Sequence, residues 1–333
     1  MIKILQIFRK KNPAFFSIEK VFGSIRLLQE KMVQLDIVSL PFYNSGLVAI
    51  FRNLNFLKRR RGATVYHVTG DVHYAVLALP AKKTILTIHD CVFLYSSTGV
   101  KRWILKRLFL DLPVKHAAAI TTISEFSRGE IIRFSKCDPG KVVVIANPVN
   151  DSIFFQRKPF NAERPVILFI GVTPNKNLER VAPALEGISC RLVVLGKLNA
   201  GQEELLSRHQ VDFTSVQGVS EEALAQLYAD SDMVLFPSVF EGFGLPIIEG
   251  QKAGRVVITS NTEPMKSVAG GGAYLVDPYD INAIREGVQT IIKNADIRNN
   301  LIEAGLENIQ KYSAIHIADA YQQLYEKVAV SNT

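Results

Sequence analysis

Two carboxylates, Glu241 and Glu249, stand with seven residues between them, Gly242, Gly244 and Pro246 among these, in the string Pro237-Ser-Val-Phe-Glu-Gly-Phe-Gly-Leu-Pro-Ile-Ile-Glu249. The apolar run Met233 to Phe236 before it reads as a buried strand. Pro246 suits the first position of a helix, where its missing N–H costs nothing, and Gly254 suits the stop after Ala253. Strand, glycine-bearing loop and helix start together aim backbone N–H groups and a helix dipole at one spot. That arrangement favours an anion, and phosphate is the usual guest. Carboxylates do not belong beside phosphate for its own sake; they accept hydrogen bonds from hydroxyls, such as those of a sugar or a ribose. Phosphate and hydroxyls side by side suit a nucleotide sugar. The same residues also describe an ordinary strand–loop–helix turn with two surface glutamates.

Other residues could act with this pair. Thr84-Ile-Leu-Thr-Ile-His-Asp90 reads as a strand ending in His89 and Asp90. Ligands of open α/β sheets sit beyond such carboxyl ends. Lys176 lies in the turn Gly171-Val-Thr-Pro-Asn-Lys-Asn-Leu178, between a strand at Val166 to Gly171 and a helix at Leu178 to Ile188. Taken singly, a histidine such as His89 suits a core and a turn lysine suits water. His67 and His73 fall in Val65 to Tyr74. None of the six histidines has zinc-protease spacing and no Cys/His metal pattern occurs, so no metal is expected.

The string FEGFGLPIIEG resembles the E-x7-E signature of retaining glycosyltransferases of family 4, which have the GT-B fold. TTISEFSR, the strand ending in His89-Asp90 and the Lys176-Asn177 pair resemble further segments of that family. The resemblance covers nearly the whole chain and is strongest from about 166 to 280. It implies transfer of a hexose from a nucleotide-diphosphate sugar, a UDP- or GDP-sugar, to a saccharide or lipid-linked acceptor in surface polysaccharide assembly, without metal or cofactor. It implies Glu249 on the ribose hydroxyls and Glu241 on the donor sugar. Lys176 and the N–H groups of Phe243, Gly244 and Leu245, beyond Gly242, would hold the leaving diphosphate. The base would stack near Gly218 and Val219. His89 would meet the donor sugar or phosphate, and Asp90 would hold its imidazole or meet the acceptor. His67 and His73 match no family segment and are candidates for lining the acceptor pocket.

The chain departs from the family at several points. Val172 stands where an arginine is common, and Ser267 and Lys266 replace a glutamate and a proline. The first loop, Lys11-Asn-Pro-Ala-Phe-Phe-Ser17, lacks the family's glycine pair. A sugar-nucleotide epimerase or hydrolase of the same fold, and a catalytically silent nucleotide-sugar-binding protein, therefore remain alternatives.

The elements that must position these residues read as α/β. Buried strands are expected at Ile2 to Phe8, Leu35 to Leu40, Ala117 to Ile123, Lys141 to Pro148, Arg191 to Gly196 and Arg255 to Ser260. Helices are expected at Ile18 to about Lys31, with apolar residues at Val21, Ile25, Leu28 and Met32, and at Lys101 to Leu112. Others should follow Ser124 and Ser220, and three close the chain at Asn282 to Lys293, Ala295 to Gln310 and Ile315 to Val330. The resemblance implies two Rossmann-like domains facing across a cleft, an acceptor domain at 1–150 and a donor domain at 151–314, with the helix 315–330 packing back on the first. A length of 333 residues suits two domains. No G-x-G-x-x-G follows a strand, which argues against a nicotinamide dehydrogenase.

Residues 1–150 hold 23 Lys and Arg against 9 Asp and Glu, a net +14, while the remainder, 16 against 22, carries −6. Such asymmetry turns the first half toward an anionic partner. No nucleic-acid motif is present. An anionic membrane surface fits, and Phe51 to Gly62, with Arg52, Lys58, Arg59, Arg60 and Arg61 among apolar residues, reads as a basic amphipathic face. No run of 18 apolar residues exists, and three scattered cysteines suit free thiols. The expected place is the cytoplasm, peripheral to the inner face of the membrane.

Overall fold

The computed structural model describes residues 2–11, 17–44, 46–95 and 97–330. The chain divides into two compact units, Met1–Pro148 with Ala314–Thr333, and Val149–Ser313.

The first unit carries six strands: β1 (Lys3–Phe8), β2 (Gln34–Ser39), β3 (Val65–Val68), β4 (Thr84–Thr87), β5 (Ala119–Thr122) and β6 (Val142–Val144). Their order is β2-β1-β3-β4-β5-β6, with every pairing parallel. The second unit carries β7 (Val166–Ile170), β8 (Arg191–Leu195), β9 (Phe213–Val216), β10 (Met233–Phe236), β11 (Val256–Ser260) and β12 (Tyr274–Val276). These run β12-β11-β10-β7-β8-β9, again all parallel. Helices cover the sheets, so β3, β4, β5, β10 and β11 are buried at every residue. Their near-continuous apolar sequences follow from that double burial.

In each sheet the chain winds outward from a central strand and then returns to that strand's other side. The reversal falls between β1 and β3 in the first unit and between β7 and β10 in the second. Ligands of such sheets bind at the carboxyl ends of the strands beside the reversal.

Several expectations need correction. The first helix, Ser17–Met32, turns Ile18, Phe22 and Ile25 inward, while Met32 is exposed and Val21 and Leu28 are half-buried. Phe22 sets the face, because its ring meets Phe8, His67 and Tyr321. The stretch between β8 and Gly218 holds the helix Ala200–Arg208 and β9. The segment with the Lys266 and Ser267 departures holds the helix Met265–Ala269 and, after it, the edge strand β12. The basic stretch at Phe51 to Gly62 splits in two. The helix Leu47–Lys58 buries Asn53 and Leu57, and Arg59, Arg60 and Arg61 follow its end in water. The first-loop departure, at 12–16, lies outside the described residues.

The helix Ala314–Val330 belongs to the first unit. Its Ile317, Tyr321, Leu324, Tyr325 and Val328 share a core with Ile4, Phe22, Ile25 and Ile85. A buried polar chain fixes its register. Tyr325 Oη lies 2.8 Å from His67 Nδ1 and accepts from Gln6 Nε2 at 3.2 Å. His67 Nε2 lies 2.7 Å from Thr87 Oγ1, which is in turn 2.7 Å from Thr121 Oγ1. Buried polar groups without such partners would each cost on the order of 1–3 kcal/mol.

Candidate functional site

The expected anion-binding turn forms at the reversal of the second sheet. β10 delivers the chain into the loop that follows Pro237, and the helix Leu245–Lys252 begins just beyond it with Pro246 in its first turn. Gly244 supplies the N-cap in the left-handed region, at φ +112°. Only glycine adopts that conformation without strain, and a Cβ there would also sit 2.9 Å from Ile247 Cδ1. Pro246 carries no N–H and the Ile247 N–H bonds back to the Gly244 carbonyl at 3.0 Å, so Leu245, the first residue of the helix, offers the N–H nearest the loop. Phe243 anchors the loop from below, 5% exposed and edge-on to Tyr312 at 5.6 Å.

Lys176 and Glu241 meet here. Lys176 follows β7 and Glu241 follows β10, so the two strands beside the reversal bring them together. Lys176 Nζ donates to Glu241 Oε1 at 2.6 Å, and both side chains are mostly buried, at 17% and 15% exposed. The ammonium also stands 4.7 Å from the centre of the Phe236 ring. Two asparagines that sequence reasoning passed over hold this arrangement. Asn175 donates to the Phe240 carbonyl at 2.9 Å and to Glu241 Oε1 at 3.3 Å, while its own carbonyl accepts from Val239 N–H. Asn177, 2% exposed, donates to the carbonyls of Pro237 and Pro278. Three strand-end loops are thus tied by amide side chains, and a lysine and a glutamate 65 positions apart become neighbours.

Glu249, in the helix Leu245–Lys252, accepts from Tyr228 Oη at 2.6 Å. Tyr228 is fully buried, and burial followed by the Glu249 carboxylate raises its pKa well above the usual phenol value. The hydroxyl therefore stays protonated and orients one carboxylate oxygen. Gly218 and Val219 lie just past β9, on the same carboxyl edge of the sheet but at its margin. Gly218 is exposed and takes a left-handed φ of +64°. Val219 is half-buried and precedes the Ser220 cap of the helix Glu221–Asp230.

A second cluster forms in the first unit. His73, His89 and Asp90 line one cavity of about 240 Å³ together with Asp71, Phe93 and Phe109. His89 Nε2 donates to the Thr69 carbonyl at 2.9 Å. The ring sits against Gly70, at φ +134°, where a Cβ would fall 2.6 Å from His89 Cδ2. Asp90 Oδ1 accepts from Val92 N–H and opens the short helix Val92–Tyr95. His73 Nδ1 donates to the Phe109 carbonyl at 2.6 Å, and burial lowers its pKa below the ordinary imidazole value. Phe93 and Phe109 stand edge-on to His73 at 6.1 and 6.2 Å. The cavity thus offers polar tips over apolar walls, which suits a ring-shaped polyol.

His67 does not join it. It is fully buried on β3, both ring nitrogens are occupied by hydroxyls, and burial and then the charge of His89 lower its pKa to about 3. The expectation of an acceptor-lining His67 is corrected: it is a core histidine under the C-terminal helix. The surrounding sequence, Val65-Tyr-His-Val68, already reads as a strand buried on both faces. Tyr228 and Asp71 carry no local signal, since each matters only through a partner brought in by the fold.

Residues 18–153 match the model described as Glycosyltransferase Family 4, and residues 150–308 match the model described as Glycosyl transferases group 1. The chain is 26% identical over 260 residues to O-antigen chain mannosyltransferase B of Escherichia coli, an alignment covering 70% of this chain and 67% of that one. Alignments with the first curated relatives span 60% to 68% of those proteins' length. Among solved structures, sucrose-phosphate synthase from Thermosynechococcus elongatus superposes with a TM-score of 0.80 at 17% identity, over 99% of this chain and 100% of that one. HepE of Anabaena in complex with UDP and glucose gives 0.75 at 14% identity, over 98% and 100%. These likenesses show the fold. With the two family models adjoining across residues 18–308, the chain belongs to the family 4 glycosyltransferases of the GT-B fold.

Proposed function

We propose that this chain is a retaining hexosyltransferase that moves a sugar from a nucleotide-diphosphate donor to a saccharide acceptor, carried on a lipid, in surface polysaccharide assembly. The observation that carries the reading is the Lys176–Glu241 pair, held by two loops beside the sheet reversal and above the N-terminus of the helix Leu245–Lys252. When donor enters, its diphosphate takes Lys176 and the N–H groups of Phe243, Gly244 and Leu245. Glu241 turns from the lysine to the sugar hydroxyls, and Glu249, oriented by Tyr228, accepts from the ribose. The bond from the anomeric carbon to the diphosphate oxygen breaks as the acceptor oxygen attacks from the same face. The leaving diphosphate oxygen takes the acceptor proton. Charge develops on that diphosphate, where one ammonium and aligned backbone dipoles stabilise it. No base, nucleophile, metal or cofactor enters the scheme. The base of the donor lies toward Gly218 and Val219. The His73–His89–Asp90 cavity takes the acceptor ring.

The mannosyltransferase named among the relatives makes mannose the first sugar to test. The solved complex with UDP and glucose keeps uridine donors in the panel. The deciding experiment incubates UDP- and GDP-hexoses with the protein in the presence of EDTA, with and without a lipid-linked saccharide, and reads the anomeric configuration of the product. Acceptor-dependent transfer with retained configuration is expected, and Lys176→Ala and Glu241→Ala should each remove most of it while the fold stays intact. A free sugar or an epimerised donor in the absence of acceptor would move the reading to a hydrolase or epimerase. Nucleotide binding with no product would leave a silent binding protein. Unchanged turnover in both variants would refute the site.

A further inference from the structure

Beside the acceptor cavity the first unit exposes a helix whose outer face is apolar. In Gly99–Lys106, Val100 is 75% exposed, Trp103 66% and Ile104 41%. Their spacing of three and four residues places them on one stripe, and Arg107 continues it one turn on. Lys101, Arg102 and Arg107 are exposed around the stripe. Leu105 and Lys106 are half-buried, and Lys106 is bound to Asp111 at 2.7 Å. The helix is therefore anchored by one side and presents the other unpaired. Large apolar side chains grouped in this way on a charged surface mark an interaction site.

The chemistry of the face selects its occupant. Tryptophan favours the boundary between headgroups and acyl chains, because its ring is apolar and its N–H needs a polar partner. The basic rim matches lipid phosphates, and the unit as a whole is strongly basic, with 24 Lys and Arg against 11 Asp and Glu. A helix with this division lies in the plane of a membrane surface rather than across it. No helix among the described residues is long and apolar enough to cross a membrane.

We propose that the helix Gly99–Lys106 docks on an anionic bilayer, with Val100, Trp103 and Ile104 in the headgroup–acyl boundary and Lys101, Arg102 and Arg107 on lipid phosphates. This rests on the reading above that the acceptor is lipid-linked, and it explains how such an acceptor is met. Leu105 of the same helix lines the cavity that holds His89 and Asp90. Docking brings that cavity to the bilayer surface, where a saccharide can enter it while its lipid stays in the membrane. The helix Leu47–Lys58, where the sequence placed the basic face, also exposes Leu47, Val48 and Phe51; the stripe on Gly99–Lys106 is chosen because its own helix lines the cavity.

The chain carries a single tryptophan, so Trp103 reports its own environment. Phosphatidylglycerol-rich vesicles should shift its emission to the blue and shield it from an aqueous quencher, while pure phosphatidylcholine vesicles should do far less. Salt should weaken the binding. Replacing Lys101, Arg102 and Arg107 together by Ala should lower vesicle affinity roughly a hundredfold, at about fivefold per residue. Val100→Ser with Ile104→Ser should lose vesicle binding yet keep thermal stabilisation by UDP or GDP. No spectral change and no co-sedimentation with anionic vesicles would overturn the proposal, as would a dimer in solution whose Trp103 is shielded without lipid. Nucleotide binding that persists while vesicle binding fails sinks the docking face alone. Vesicle binding with no transfer from any donor sinks the enzymatic reading alone.

Discussion

In the proposed donor site, the Lys176–Glu241 ion pair makes opposing demands on its two members. Lys176 spends its charge on Glu241 until a diphosphate arrives, so Glu241 competes with the ligand for one ammonium. A nucleoside diphosphate without a sugar offers Glu241 nothing in return. Glu241→Gln should therefore bind UDP or GDP more tightly, by roughly five- to tenfold, while losing transfer. Isothermal titration with the free nucleotide decides it, and weaker binding by this variant would mean that Glu241 holds Lys176 in place more than it competes for it. Tyr228→Phe tests the other carboxylate. Its hydroxyl orients Glu249, so its loss should raise KM for the donor severalfold through a missing bond of about 1 kcal/mol, with kcat little changed. A fall in kcat with unchanged KM would place Glu249 nearer the reacting atoms than the ribose. Glu241, Glu249 and Lys176 could be singled out because each sits in a short recognisable string, and the fold does bring Lys176 and Glu241 together. Asn175, Asn177 and Tyr228 could not, since an amide that ties loops or a phenol that orients a carboxylate leaves no spacing to read.

Elements were legible where burial is continuous. The apolar strands β1, β4, β7, β10 and β11 and the Ser-capped helices at 125 and 221 follow from local chemistry. β9 and β12 did not, because each is a short edge strand with partly exposed residues, β9 broken by Thr214 and Ser215 and β12 only three residues long. The inward face of the first helix was not legible for a different reason. Its side is chosen by Tyr321, which lies some 300 positions away in sequence and is invisible to periodicity. The C-terminal helix is correspondingly more than a cover. Tyr325 closes the chain from Gln6 through His67 to Thr87, so Tyr325→Phe leaves His67 and Gln6 each short of a partner. A loss of about 1–3 kcal/mol is expected, read as a lower urea midpoint. An unchanged midpoint would mean that packing by Tyr321 and Leu324 alone holds the helix.

At the scale of the molecule, the two units have separate cores and answer to different variables. His67 sits in the core of the first, and the donor loop in the second. In the folded chain His67 is neutral down to about pH 3, whereas unfolded it takes a proton near pH 6.5. The unfolded state therefore binds the extra proton, and His67 contributes stability above pH 6.5 that drains away as pH falls toward 3. Between pH 7 and pH 5 this amounts to about 2 kcal/mol, or roughly 4–8 °C in the melting of a unit of this size. A nucleoside diphosphate acts on the other unit, adding about 2.7 kcal/mol at a hundred times its Kd. Scanning calorimetry at pH 7 and pH 5, with and without UDP or GDP, should then show one transition that acid lowers and another that nucleotide raises. In His67→Gln, which keeps a donor and an acceptor for Tyr325 and Thr87, the acid-sensitive transition should lose most of its pH dependence. If the nucleotide raises the acid-sensitive transition instead, the diphosphate is bound by the basic unit. The Lys176 loop would then be only a turn.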